Sequence, residues 1–143
     1  MITFEFTRAN KDMPASEFDQ GDITLKTDNI KISSSADPRL TSMIYLSMTL
    51  LIDGLVKIQK KFEYIAVDSS FRIVFTRKRD IIRIVKFNSQ DINVIYLELL
   101  IALDEGIELF LSDPKNTLPM TSFVLLDLVS SRRELKKKIE FLL

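Results

Sequence analysis

Residues Ser69–Phe87 read SSFRIVFTRKRDIIRIVKF, and how this stretch is read decides the fold around it. Six of its nineteen residues are Arg or Lys and three are Phe. Apolar and polar residues alternate on both sides of Lys78-Arg79, the period of two that a half-buried strand requires. A two-residue turn at Lys78-Arg79 sets Phe75 against Ile82, Ile73 against Ile84 and Phe71 against Lys86 on one face. Arg72, Val74, Thr76, Ile81, Arg83 and Val85 then share the other. Moving the turn by one residue would place Arg83 opposite Phe75 and carry a charge to the apolar side, which burial disfavours.

This hairpin separates its aromatics from its cations. Single-stranded nucleic acid is held where stacking rings and basic groups share one surface, and here Phe71 and Phe75 go inward. Residues 72–86 therefore read first as the wet face of a sheet. A protein-binding face comes next, and a nucleic-acid site built from Arg72, Arg77, Lys78, Arg79, Arg83 and Lys86 is a further alternative. The outer face also carries Val74, Ile81 and Val85, so a cover is expected: the C-terminal helix, or another chain.

Outward from the hairpin, FEYIAV joins it through Asp68-Ser69-Ser70 as the first strand of a three-stranded meander. Upstream, Ile2–Thr7 alternates as a strand, and residues 8–22 read as a loop with one helical turn after Pro14. Ile23 and Leu25 pair with Ile30 and Ile32 across the turn residues Thr27-Asp28-Asn29. Asp37 as cap and Pro38 at the first position predict an almost wholly apolar helix running to Lys60. A second helix is expected from Asn88 or Ser89 to the residues before Pro114, bent or broken near Asp104–Gly106. A third starts at Thr121 or Ser122 and ends in basic residues that suit the helix dipole. The order β-ββ-α-βββ-α-α defines an α+β class, about six antiparallel strands in two groups with three helices on one face. Residues 1–143 read as one domain.

Composition narrows the chemistry. The chain has 143 residues, 46% hydrophobic and 28% charged, with no histidine, no cysteine and three glycines. Ser-His-Asp and Cys-His sites and zinc sites of His and Cys are excluded. Gly21, Gly54 and Gly106 are too far apart for either common phosphate-cradling glycine loop. No cofactor and no enzymatic activity are expected. Carboxylates remain: Asp104, Glu105 and Glu108 cluster, with Asp104 and Glu108 on one helix face. They read as a solvated face first, an acidic interaction patch second and a metal site last.

Net charge is zero but blocked: residues 57–88 hold nine basic and three acidic groups, and 91–127 one basic and seven acidic. The blocks either neutralise one another within the fold or form patches that steer partners. Arg132, Arg133, Lys136 and Lys137 make a basic stripe whose commonest outcome is pairing with the acidic block. The most apolar window, Leu40–Val56, is 17 residues with Asp53 inside it. A membrane span needs about 20, so it reads as a buried helix. With no basic then apolar leader, a cytoplasmic location is expected.

In kind, though in no motif, this small α+β chain resembles the immunity proteins of bacterial toxin–immunity pairs. It shares with them single-sign charge patches, an Ile/Lys/Asn/Phe-leaning composition and no catalytic signature. The resemblance implies a protein partner, a toxin whose active site or assembly is blocked. The candidate contact residues are Asp104, Glu105, Glu108, Arg72, Arg77, Arg79 and Arg83. The acidic three would suit a basic, nuclease-type toxin. Alternatives are a homodimeric scaffold or secretion-type chaperone, a nucleic-acid binder and a carboxylate-metal enzyme.

Overall fold

The computed structural model describes residues 1–86 and 91–143 and is α+β, two antiparallel sheets with three helices. In the first sheet β1 (Thr3–Arg8) pairs with β2 (Gln20–Lys26), and β2 pairs with β3 (Lys31–Ser33) and β4 (Ser42–Met43). Phe4 lies opposite Leu25, Phe6 opposite Ile23, and Leu25 opposite Ile32, so one face is buried and, apart from Arg8 at the end of β1, apolar. The second sheet is a meander of β5 (Lys61–Ile65), β6 (Arg72–Lys78), β7 (Ile81–Val85) and β8 (Ile92–Ile95). Helix α1 (Ile44–Lys57) joins the two sheets, α2 (Tyr96–Ser112) packs on β1, and α3 (Phe123–Leu142) packs on α1 and α2. The buried residues form one continuous core. Among the described residues, no helix is long and apolar enough to cross a membrane. The apolar window Leu40–Val56 is mostly α1, whose Tyr45, Met48, Leu51, Ile52 and Leu55 have no exposed surface.

Four expectations change. Asp37 does cap, accepting from Arg39 N at 2.9 Å, but only a short 3₁₀ turn at Pro38–Leu40. Ser42 and Met43 then pair with Gly21 and Gln20, which holds the chain extended, and α1 starts at Ile44. At its other end α1 stops at Lys57, because Lys60 is already hydrogen-bonded to Arg77 of the sheet. The expected caps Asn88 and Ser89 lie outside the described residues, but α2 begins only at Tyr96. Before it, the β-branched run Ile92–Ile95 forms a fourth strand, Ile92 and Val94 inward and Asn93 and Ile95 outward. After Pro14 the chain closes a single turn, with Asp19 N donating to the Ser16 carbonyl at 3.1 Å. Finally α2 runs unbroken through Gly106, which is kept by packing: a Cβ there would lie 2.6 Å from the Phe4 carbonyl oxygen.

The central hairpin turns at Arg79-Asp80, one residue later than expected, so Phe75 faces Ile84 and Thr76 faces Arg83. Arg79 takes the left-handed φ of 59° that the turn requires, a conformation uncommon without glycine. The resulting slip of two residues preserves every face, since side chains alternate with a period of two. Phe71, Ile73, Phe75, Ile82 and Ile84 are all buried, as the alternation requires. The last helix begins as read, with Ser122 Oγ accepting from Leu125 N.

All three tyrosines are buried, and each phenol donates to a main-chain carbonyl: Tyr45 to Asn116, Tyr64 to Ser47 and Tyr96 to Leu55. Burial pushes the Tyr45 phenol up to about 12, with Arg8 opposing and Asp19 adding to the shift. Burial likewise raises Tyr64 and Tyr96. A group whose folded pKa is raised contributes stability below its unfolded pKa and loses it as pH climbs toward the folded value. The melting temperature should therefore hold steady up to about pH 10, the ordinary tyrosine value, and then fall steeply. Tyrosinate absorbance should rise together with unfolding, and a chain whose tyrosines ionise in the folded state near pH 10 would contradict this.

Candidate protein-binding surface

The outer face of the second sheet is built by the alternation that buries its inner one. Its cross-strand rows are Ile65 beside Arg72, then Glu63, Val74 and Val85, then Lys61, Thr76, Arg83 and Asn93, then Lys78, Ile81 and Ile95. Among the described residues no helix lies over it. The C-terminal helix, expected as its cover, sits instead on α1 and α2. Ile65, Ile81 and Ile95 are consequently 47%, 40% and 43% exposed. On this face, among the described residues, Lys61, Arg72, Lys78 and Arg83 stand against Glu63 and Asp91.

The candidate arginines divide. Arg72 reaches Glu63 at 2.8 Å, and Arg83 holds Asp91 through Nε at 2.7 Å and through its terminal nitrogen. Both pairs are surface pairs, which contribute at most about 1 kcal/mol. Arg79 is exposed at the tip of the turn. Arg77 belongs to the framework, because it lies on the inner side opposite buried Ile82. It donates to the Arg79 and Ile58 carbonyls and stacks 4.2 Å above the Tyr96 ring.

The acidic cluster divides as well. Arg132 Nη2 donates to Asp104 at 3.2 Å and to Glu108 at 2.8 Å. The basic stripe and the acidic block therefore meet within the chain at this point, while Glu105 faces solvent on another side of α2. Among the described residues no three carboxylates converge as they would around a metal ion. Hydrogen bonding and the charge of Arg132 hold the Glu108 carboxyl below its ordinary value. A lowered carboxyl contributes stability above its unfolded pKa and loses it as pH falls through the folded value. Arg132→Met should thus lower the melting temperature at neutral pH, and the difference from wild type should close as pH falls below about 4, the ordinary carboxylate range. A difference constant with pH would show that the helix contact, not the charge pair, carries the effect.

One polar centre escaped the sequence reading. Arg8 occupies the inward position that follows Phe4 and Phe6 in β1, and its side chain is 1% exposed. Nε donates to Asn116 Oδ1 at 2.9 Å, and Nη2 to the Lys115 carbonyl at 2.8 Å. Nη1 serves the Asn10 carbonyl and Asp19 Oδ2 at 3.2 and 3.1 Å. The strand's alternation was the available signal, since it places Arg8 on the apolar side. With four acceptors engaged, this arginine ties the β1–β2 loop and the α2–α3 connection to the sheet and presents nothing to a ligand.

Comparison with models of known protein families, with curated proteins and with solved structures finds no match.

Proposed function

We propose that this chain is a non-enzymatic protein-binding module, an immunity protein that neutralises a bacterial toxin, and that the partner docks on the outer face of the second sheet. The observation that carries the reading is the bare face itself: among the described residues, five aliphatic side chains are set among four cations, with no helix above them. Interfaces of this kind combine an apolar centre with a charged rim, and arginine is among the residues enriched there. The cationic excess favours an acidic surface on the partner. The toxin assignment rests on the resemblance in kind to small immunity proteins. Nucleic acid is the weaker reading, since Phe71 and Phe75 lie beneath the face and, among the described residues, leave it no ring for a base to stack on.

Tagged chain taken from its native source at moderate salt should bring down one stoichiometric protein with toxic activity. The pair Val74→Asp and Val85→Asp should abolish that capture without altering the fold. Equal capture by both forms would place the site elsewhere. Nucleic acid that washes off with salt would replace the reading altogether.

A further inference from the structure

We infer that the free edge of β5 is where two copies of this chain pair, strand to strand, about a two-fold axis at Phe62, joining their second sheets into one. β5 ends the strand order β5-β6-β7-β8. Arg77 N donates to the Lys60 carbonyl and Ala66 N to the Phe71 carbonyl. Bonding along an antiparallel pair alternates, so the even-numbered residues of β5 turn their main chain to β6. Lys61, Glu63 and Ile65 turn theirs outward, and among the described residues no hydrogen bond reaches those N–H and C=O groups. An open edge of this kind is a template for another strand. The outer strand of the first sheet is guarded differently, since Gly106 of α2 stands close against the Phe4 carbonyl.

Charge selects the occupant and the register. Lys61-Phe62-Glu63 carries a cation, a ring and a carboxylate in that order, and run against itself it is its own complement. With Phe62 on the axis, Lys61 lies opposite Glu63 of the copy, and Glu63 opposite the copy's Lys61. Each of these pairs exchanges two main-chain hydrogen bonds. Opposite charges facing across strands stabilise a pairing, and like charges weaken it. An axis at Glu63 would set two carboxylates face to face, and an axis at Tyr64 would set Glu63 against Ile65. A foreign strand of single-sign charge would meet repulsion at one of the two positions, whereas a second copy satisfies both. Arg72 already takes Glu63 Oε1 at 2.8 Å, which leaves Oε2 for the copy's Lys61. The two Phe62 rings meet on the inner face, where Leu50, Gly54 and Phe62 line an open groove. The Lys60 groups of the copies fall at opposite ends of the pairing, about 14 Å apart, beyond the screening length of about 8 Å.

So short a pairing buries less than the about 800 Å² per partner of a standard interface, so the dimer is a weak one. Sedimentation of the purified chain up to about 1 mM should show it. Lys61→Glu and Glu63→Lys should each weaken self-association roughly tenfold, because each sets like charges opposite one another at both positions. An equal mixture of the two variants should pair as the wild type does. Glu63→Pro should abolish pairing in a chain that still melts cooperatively, because the N–H it removes points away from β6. A wild type that stays monomeric to about 1 mM would overturn the inference, as would a dimer indifferent to both charge changes or lost only with Val74→Asp. A pure chain whose β5 edge stays open, but which gains a strand there from a captured protein, would make the edge a site for a foreign segment and overturn it too. The dimer is measured on the pure chain, so its presence or absence does not depend on the partner proposed for the sheet face.

Discussion

Arg8→Ala should be the most damaging single change in the molecule, lowering the stability by about 3–5 kcal/mol. The loss does not come from attraction alone. Removing the guanidinium leaves Asp19 Oδ2, Asn116 Oδ1 and the carbonyls of Asn10 and Lys115 without the donor they share. Buried acceptors left unmet cost more than the bonds returned when formed. Arg8→Lys tests geometry separately: it keeps the charge but cannot reproduce the planar fork that reaches both the β1–β2 loop and the α2–α3 connection. We expect it to lose about 2 kcal/mol, the worth of one charged hydrogen bond. Urea unfolding should show both midpoints shifted with an unchanged slope. An Arg8→Ala chain within about 1 kcal/mol of wild type would mean that water replaces the network freely.

Gly106→Ala should also destabilise, and the sign is the informative part. In an exposed helix this change gains about 1 kcal/mol from propensity. Here the added Cβ would meet the Phe4 carbonyl oxygen at 2.6 Å and Phe4 Cβ at 2.9 Å. Phe4 is held in the ladder opposite Leu25, so the strand cannot yield without breaking register. Overpacking of this kind costs about 1–3 kcal/mol, occasionally more. A backbone clash falls at the upper end, leaving a net loss of about 2 kcal/mol. At Gly54 the obstacle is the half-buried Phe62 ring, which can swing aside, so Gly54→Ala should cost less. Thermal melts of the two variants side by side decide it; a stabilised Gly106→Ala chain would contradict the close packing of α2 on β1.

What was legible in the sequence was local. The faces of β6 and β7, the hairpin of β2 and β3 and the Ser122 cap follow from alternation and from turn or cap chemistry within a few residues. What was not legible depends on partners far along the chain. β4 exists because Ser42 and Met43 meet Gly21 and Gln20, and β8 because Ile92 and Val94 meet Ile84 and Ile82. The turn slipped because Arg79 adopts a left-handed conformation that its residue type does not announce. Arg8 looked like a loop residue because its acceptors Lys115 and Asn116 lie 107 and 108 positions away. The composition of the bare sheet face could be read from Arg72, Val74, Ile81, Arg83 and Val85, but not its bareness. That depended on where α3 packs, and α3 sits on the other helices.

The sheet face proposed as the docking surface is cationic and aliphatic, with Ile65, Ile81 and Ile95 exposed among Lys61, Arg72, Lys78 and Arg83. Arg77, Arg8 and the three tyrosines hold the scaffold behind it. The most direct test of the sheet-face claim is hydrogen exchange across the chain, free and bound to its captured partner. The account predicts slowed exchange at the amides of β6, β7 and the neighbouring edge strands, with α2 and α3 unchanged. Protection confined to α2 around Glu105 and Glu108, with the sheet unaffected, would contradict it and move the binding site to the acidic helix.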